Sequence, residues 1–152
     1  MEKVMMSNIQ AVTILLVEDD PGHARLIEKN LRRSNITNDI IRFESGRNAL
    51  DYLFKTGEYE GSSHASPVLV LLDLNLPGMD GYQILRHMKQ DERTKRIPIV
   101  ILTTTDDGRE VDKCYDLGCN VYITKPVDYA QFSQAIRKIG LFLSVVTVPN
   151  GA

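Results

Sequence analysis

The sequence predicts a doubly wound α/β fold, a five-stranded parallel sheet with helices packed on both faces. Three observations carry that expectation. Short apolar runs rich in valine, isoleucine and leucine recur at residues 13–17, 39–43, 68–72, 97–102 and 121–124; most are continuous rather than alternating, as in strands buried on both faces. Stretches with helical spacing and capping signals stand between them, and such alternation implies parallel strands joined by crossovers. Residues able to do chemistry follow four of the five runs, and in open α/β sheets ligands bind beyond the carboxyl ends of the strands.

Residues 1–11 show little pattern and read as a loose N-terminal tail, with Met5 and Met6 as alternative starts. The first strand, 13–17, runs into Glu18, Asp19 and Asp20. Pro21 suits a first helical turn with Asp20 as its N-cap. Ala24, Ile27 and Leu31 then recur at helical spacing, and Arg25, Glu28, Lys29, Arg32 and Arg33 form the wet face. After a turn at 35–38 comes the short strand 39–43, and Ser45 is placed to cap a helix bearing Ala49, Leu50, Leu53 and Phe54. The polar run 55–67, with Gly57, Gly61, Ser62, Ser63 and Ser66, exceeds the roughly two to six residues usual for a helix-to-strand connection and reads as a surface loop.

The stretch 68–81 is the centre of the chain. Five consecutive apolar residues lead to Asp73, followed by turn chemistry at Pro77-Gly78 and Asp80-Gly81. Asp80 reads as a helix cap; Asp73, at a strand end, needs a cation or hydrogen bonds to be buried there. Tyr82, Ile84, Leu85 and Met88 give the next helix, and the mixed-sign run 89–96 reads as a solvated loop. The strand 97–102 carries Pro98 near its start, where a missing donor is tolerated, and ends in Thr103-Thr104-Thr105. A helix opens near Asp106 and Asp107 with Glu110 placed for a capping box, carries Val111, Cys114 and Tyr115, and closes at Gly118. The fifth strand, 121–124, ends in Lys125-Pro126, and Asp128 can cap a last helix bearing Phe132, Ala135, Ile136 and Ile139.

Composition narrows the function. At 152 residues the chain suffices for one domain with a full core. Its net charge of −2 argues against a nucleic-acid partner. Cys114 and Cys119 lack a second pair and metal-ligand spacing, so they read as buried thiols of a reducing compartment. Without a signal-peptide pattern or an apolar run of about 18 residues, a soluble cytoplasmic protein with no membrane partner is expected. His23, His64 and His87 are isolated and read as surface histidines.

A strand order of 2-1-3-4-5, the flavodoxin-like arrangement, brings the ends of strands one, three, four and five to one edge. The pocket there would hold Glu18 and Asp19, with Asp20 as a further candidate, plus Asp73, Thr103 and Lys125. Clustered carboxylates repel one another unless a cation sits among them, and oxygen ligands in a water-retaining site suit Mg²⁺. A divalent ion, a lysine and a hydroxyl around one carboxylate form a phosphoryl-transfer site.

The run Leu72-Asp73-Leu74-Asn75-Leu76-Pro77-Gly78-Met79-Asp80-Gly81, the acids Glu18 and Asp19, Thr103 at 30 and Lys125 at 52 residues beyond Asp73 together resemble a bacterial response-regulator receiver domain. The resemblance spans about residues 13–143. It implies that Asp73 accepts the phosphoryl group, that Glu18, Asp19, Asp73 and the carbonyl of Asn75 hold Mg²⁺, that Thr103 and Lys125 contact the phosphoryl group, and that Tyr122 is the aromatic switch. The long 55–67 loop, the Thr run, Cys114-Tyr115-Asp116-Leu117-Gly118 and the tail Phe142-Leu143-Ser144-Val145-Val146-Thr147-Val148-Pro149 are similar to the single-domain regulators associated with phytochrome-type histidine kinases. The implied function is that of a non-enzymatic two-component response regulator, phosphorylated by a histidine kinase, with Mg²⁺-dependent self-phosphorylation and autodephosphorylation its only chemistry.

Two other classes compete. An aspartyl-phosphate phosphohydrolase would want a second acid two residues after its nucleophile, where this chain has Asn75. A phosphorylation-independent receiver-like binding module would not need the retained acids, Thr103 and Lys125. The expected domain layout is a tail at 1–11, a receiver at 12–143 and a C-terminal extension at 144–152. Seven apolar residues, Ile139, Leu141, Phe142, Leu143, Val145, Val146 and Val148, suggest a homodimer contact there.

Overall fold

The computed structural model describes residues 12–33, 36–62, 68–105, 107–125, 130 and 134. In chain order these form β1 (Thr13–Val17), α1 (Pro21–Arg33), β2 (Ile40–Phe43), α2 (Gly46–Phe54), a 3₁₀ turn (Gly57–Tyr59), β3 (Val68–Asp73), α3 (Gly81–Gln90), β4 (Ile99–Thr103), α4 (Gly108–Leu117) and β5 (Val121–Thr124). The expected tails and the last helix around Phe132, Ala135, Ile136 and Ile139 lie outside the described residues, as do residues 63–67.

All strand pairs are parallel and the sheet order is β2-β1-β3-β4-β5. Side chains alternate between the faces. Ile14, Leu16, Leu69, Leu71, Val100 and Leu102 meet Ala24, Ile27 and Leu31 of α1. Leu15, Val17, Val70, Leu72, Ile99 and Ile101 meet residues of α2, α3 and α4, among them Leu50, Ile84, Leu85, Met88 and Cys114. Both cysteines are free and buried.

Capping residues set the helix starts. The Asp20 carboxylate accepts the N–H of His23 at 3.0 Å, and Ser45 accepts that of Asn48 at 3.2 Å. Asp80 and Gln83 exchange reciprocal bonds of 3.0 Å, a complete capping box. At α4 the expected box does not form in that way: the Asp107 carboxylate takes the N–H of Arg109 at 2.9 Å rather than that of Glu110. Gly118 closes α4 with φ of 108°, a left-handed conformation that glycine adopts without a Cβ penalty.

Three expectations need correction. The fourth strand starts at Ile99 and runs through Thr103; Pro98 precedes it, buried, and its carbonyl accepts the N–H of Val70 at 3.0 Å. The run 89–96 is not simply solvated: Lys89 is half-buried and donates to the carbonyls of Lys95 and Ile97 at 3.0 and 3.3 Å. Buried Thr94 closes the same corner, donating to the carbonyl of Met88 at 2.7 Å. The first part of the 55–67 loop is likewise anchored, because Tyr59 packs edge-on against Tyr52 and Phe43 at centroid distances of 5.3 and 6.2 Å. An aromatic spaced five residues after Phe54 carries no helical or strand periodicity, so the sequence pattern concealed it.

Candidate functional site

Sheet register assembles the site. Val17 pairs with Leu72, Asp73 with Leu102 and Thr103 with Thr124. The residues immediately following β1 and β5, and the last residues of β3 and β4, therefore share one edge. Glu18, Asp73 and Thr103 are buried there, while Asp19 is exposed. One carboxylate oxygen from each of Glu18, Asp19 and Asp73 falls in a cluster whose members all lie within 4.8 Å of one another.

Three acids so close need a cation. Lys125 stands in for one: its ammonium forms a short ion pair with Glu18 Oε1 and lies 3.4 Å from Asp73 Oδ2. Its side chain is only 7% exposed and that of Glu18 1% exposed. Burial pushes the Glu18 carboxyl above its ordinary value, the Lys125 bond pulls it back down, and the neighbouring Asp73 charge adds to the rise. A second, mobile positive charge would relieve the same repulsion, and an all-oxygen donor set is the kind that hard divalent cations prefer. The residues present therefore fit a divalent metal.

The backbone around the acids is fixed from two sides. Arg42 of β2 reaches across with Nε on the carbonyl of Glu18 at 3.0 Å and a terminal nitrogen on that of Asp19 at 3.1 Å. On the other side Asp73 Oδ1 accepts the N–H of Asn75 at 3.0 Å. The start of α3 presses on the same turn: a Cβ on Gly81 would come within 2.6 Å of the Asp73 carbonyl oxygen and of Leu74 Cα. Only glycine allows that approach.

Asp20 is not part of the cluster. Its carboxylate is spent on the α1 cap, and the bond from the His23 backbone is the main reason it is held below its ordinary value. Asn75 brings something the sequence reading did not assign: its side-chain amide donates to Thr103 Oγ1 at 3.1 Å. The carboxyl end of β4 is tied further along, where Tyr122, half-buried, donates its hydroxyl to the carbonyl of Thr105 at 2.6 Å. So the structure joins Asp73, Asn75, Thr103, Thr105 and Tyr122 through short polar contacts. His23 is exposed, as expected, but it is not isolated: its Nδ1 sits 3.2 Å from Lys125 Nζ. Its only sequence signal was a place at the third position of a helix that opens beside the acids.

Comparison with known proteins gives a consistent result. The family model for the response regulator receiver domain matches residues 14–137. A response regulator from Synechocystis sp., Rcp1, is 40% identical over 137 residues, covering 90% of this chain and 92% of its own length. Its Mn²⁺-bound crystal structure superposes with a TM-score of 0.70 at 38% identity, covering 84% of this chain and 90% of that one. A receiver domain crystal structure from Rhodospirillum rubrum is 58% identical, with a TM-score of 0.73 and coverage of 88% and 94%. The phosphorylated cyanobacterial phytochrome response regulator RcpA is 38% identical, with a TM-score of 0.71 and coverage of 86% and 92%. Among the described residues no helix is long and apolar enough to cross a membrane.

Proposed function

The chain belongs to the response regulator receiver family, a family of signalling proteins phosphorylated on aspartate, and we propose that Asp73 is the residue phosphorylated here, with a histidine kinase of the phytochrome type as the donor. The observation that carries this reading is the buried Asp73 carboxylate at the strand edge, with Glu18, Asp19 and Lys125 around it. Asp73 attacks phosphorus with a carboxylate oxygen, forming the O–P bond as the donor's bond to phosphorus breaks. Mg²⁺, held by Glu18, Asp19, Asp73 and the Asn75 carbonyl, would supply charge neutralisation for the moving group. Lys125 is already within reach of Asp73 and binds a phosphoryl oxygen as its bond to that carboxylate is given up. Thr103 is oriented by the Asn75 amide and would turn its hydroxyl toward the same group. Its displacement would pull on the Thr103–Thr105 segment and so on Tyr122, whose hydroxyl rests on the Thr105 carbonyl. That gives a two-state surface whose populations phosphorylation shifts.

The relatives support the phytochrome link, since RcpA is named as a phytochrome response regulator, and the Mn²⁺ in Rcp1 supports a divalent ion at the acids. The proposed layout keeps a tail at 1–11, the receiver at 12–143 and an apolar extension at 144–152 that, with the last helix, mediates a homodimer; the whole acts in the cytoplasm. Intact-mass measurement after incubation with Mg²⁺ and acetyl phosphate tests the central point. Wild type should gain one phosphoryl group and Asp73→Asn none, because an amide is a far poorer nucleophile; equal labelling would sink the assignment. For the dimer, sedimentation at micromolar concentration should show two copies, and removal of residues 141–152 should leave a monomer that still labels on Asp73. A full-length monomer under both conditions would exclude that contact.

A further inference from the structure

We propose that His23 is a positioning residue for Lys125, an inference that rests on the reading of Asp73 as the phosphorylated residue. The Lys125 ammonium has three neighbours: Glu18 Oε1, Asp73 Oδ2 at 3.4 Å and His23 Nδ1 at 3.2 Å. An ammonium carries three donors and no acceptor. Nδ1 lies 3.2 Å from the ammonium and 3.9 Å from Glu18 Oε1, and a ring nitrogen that accepts there gives each ammonium hydrogen one partner. The ring is delivered there by the helix start itself. His23 is the third residue of α1, and its backbone N–H is fixed by the Asp20 carboxylate at 3.0 Å. With its side chain 50% exposed against 1% for Glu18, His23 forms the outer wall of the pocket beside Lys125.

The three partners are not equivalent during the reaction. Glu18 would turn toward a bound cation and Asp73 toward phosphorus, so both carboxylates would loosen their hold on Lys125 at the moment it is needed. His23 is the partner of Lys125 that carries no carboxylate to be drawn to the cation or to phosphorus. It keeps the ammonium over the pocket when the carboxylates turn away, instead of letting a flexible four-carbon chain swing into water, and a misplaced group of this kind costs rate steeply.

His23→Ala removes the acceptor and His23→Gln retains a neutral one in the side-chain carbonyl. Both residues suit a helix, so the pair differs in the contact and not in the fold. Phosphoryl uptake from acetyl phosphate should fall roughly tenfold in His23→Ala and return to near the wild-type rate in His23→Gln. Nitrogen-15 NMR of the lysine ammonium groups, with the Lys125 signal assigned by its loss in Lys125→Arg, gives a second readout. A hydrogen-bonded ammonium exchanges slowly, so with millimolar Mg²⁺ present to draw Glu18 away its signal should be seen in wild type and His23→Gln and be weakened in His23→Ala. Wild-type rates in His23→Ala, or a His23→Gln protein as slow as the alanine variant, would overturn the proposal. Should wild type itself take up no phosphoryl group, the reading of Asp73 fails, and the NMR contrast still decides whether His23 holds Lys125.

Discussion

Lys125 and Lys89 are both drawn out of water, at opposite edges of the same sheet, and the protein treats the two charges differently. Lys125 faces two carboxylates and a histidine nitrogen. Lys89 donates to two backbone carbonyls, and its stem lies along Gly118, where an added Cβ would come within 3.1 to 3.2 Å of three of its carbons. Burial lowers the Lys89 pKa from its ordinary value, because carbonyl dipoles compensate a desolvated charge only in part. At one edge the charge is the counter-ion of the site, so another cation can replace it. At the other it is a clasp between the end of α3 and the strand that follows, and no exchange is built in.

Removing each charge should separate the two roles. Lys125→Met leaves Glu18 and Asp73 buried without their cation, and urea unfolding in the absence of metal should show a loss of about 3 kcal/mol. Millimolar Mg²⁺ should recover most of it, a larger metal stabilisation than wild type shows. Lys89→Met leaves two carbonyls short of a donor and should cost about 1–2 kcal/mol, the same with and without Mg²⁺. If Mg²⁺ rescued both variants equally, or neither, the distinction would not stand.

The smallest expected effect lies in the alkaline range, beside the clasp. Burial pushes the Cys114 thiol up to about 11 and the Cys119 thiol up to about 12, from an ordinary value of 9.0. A folded-state value above the unfolded one contributes stability that is fully present below about pH 9 and is lost as pH rises toward 11 and 12. Lys89 works the other way, since its lowered value makes folding easier as pH approaches 10.5. Burial also raises Tyr52 and Tyr59 above their ordinary 10.0, so Lys89 is outweighed and the unfolding midpoint should fall between pH 9 and 10.5. Cys119→Val should flatten that slope, and the native thiols should resist iodoacetamide at pH 8.5 until the protein is unfolded. A slope unchanged in Cys119→Val would remove the thiols as its cause.

The difference between the two edges also explains what was legible in the sequence. The C-terminal edge could be read because its residues follow strands, and strands announce themselves by apolar runs; Glu18, Asp19, Asp73, Thr103 and Lys125 all stand at such ends. The parallel sheet followed from the alternation, and taking the flavodoxin-like order 2-1-3-4-5 brought those ends together; the register is known only from the structure. What escaped was contact that crosses between elements without periodicity. His23 looked like a surface histidine on α1, Arg42 like an ordinary strand residue, and Lys89 like part of a solvated run, yet each is fixed by partners 6 to 102 residues away. A polar side chain whose partner is a backbone carbonyl leaves no mark on the pattern, because every residue offers a carbonyl. The last helix and the tail were read from the same periodic signals, but they lie outside the described residues.

The contact of Gly81 with the Asp73 backbone has a mechanical meaning. Helix α3 begins flush against the carbonyl of the pocket's central aspartate, and Ile84 on the same helix fills the space beside Gly46 of α2. A displacement at Asp73 therefore meets α3 directly, and through Ile84 it meets α2. The β4–β5 side has a different linkage. There the Asn75 amide donates to the Thr103 hydroxyl and the Tyr122 hydroxyl to the Thr105 carbonyl, directional contacts that can break and re-form without compressing anything. Around the aspartate the contacts differ in kind: steric abutment toward α3 and α2, and hydrogen bonds toward β4 and β5.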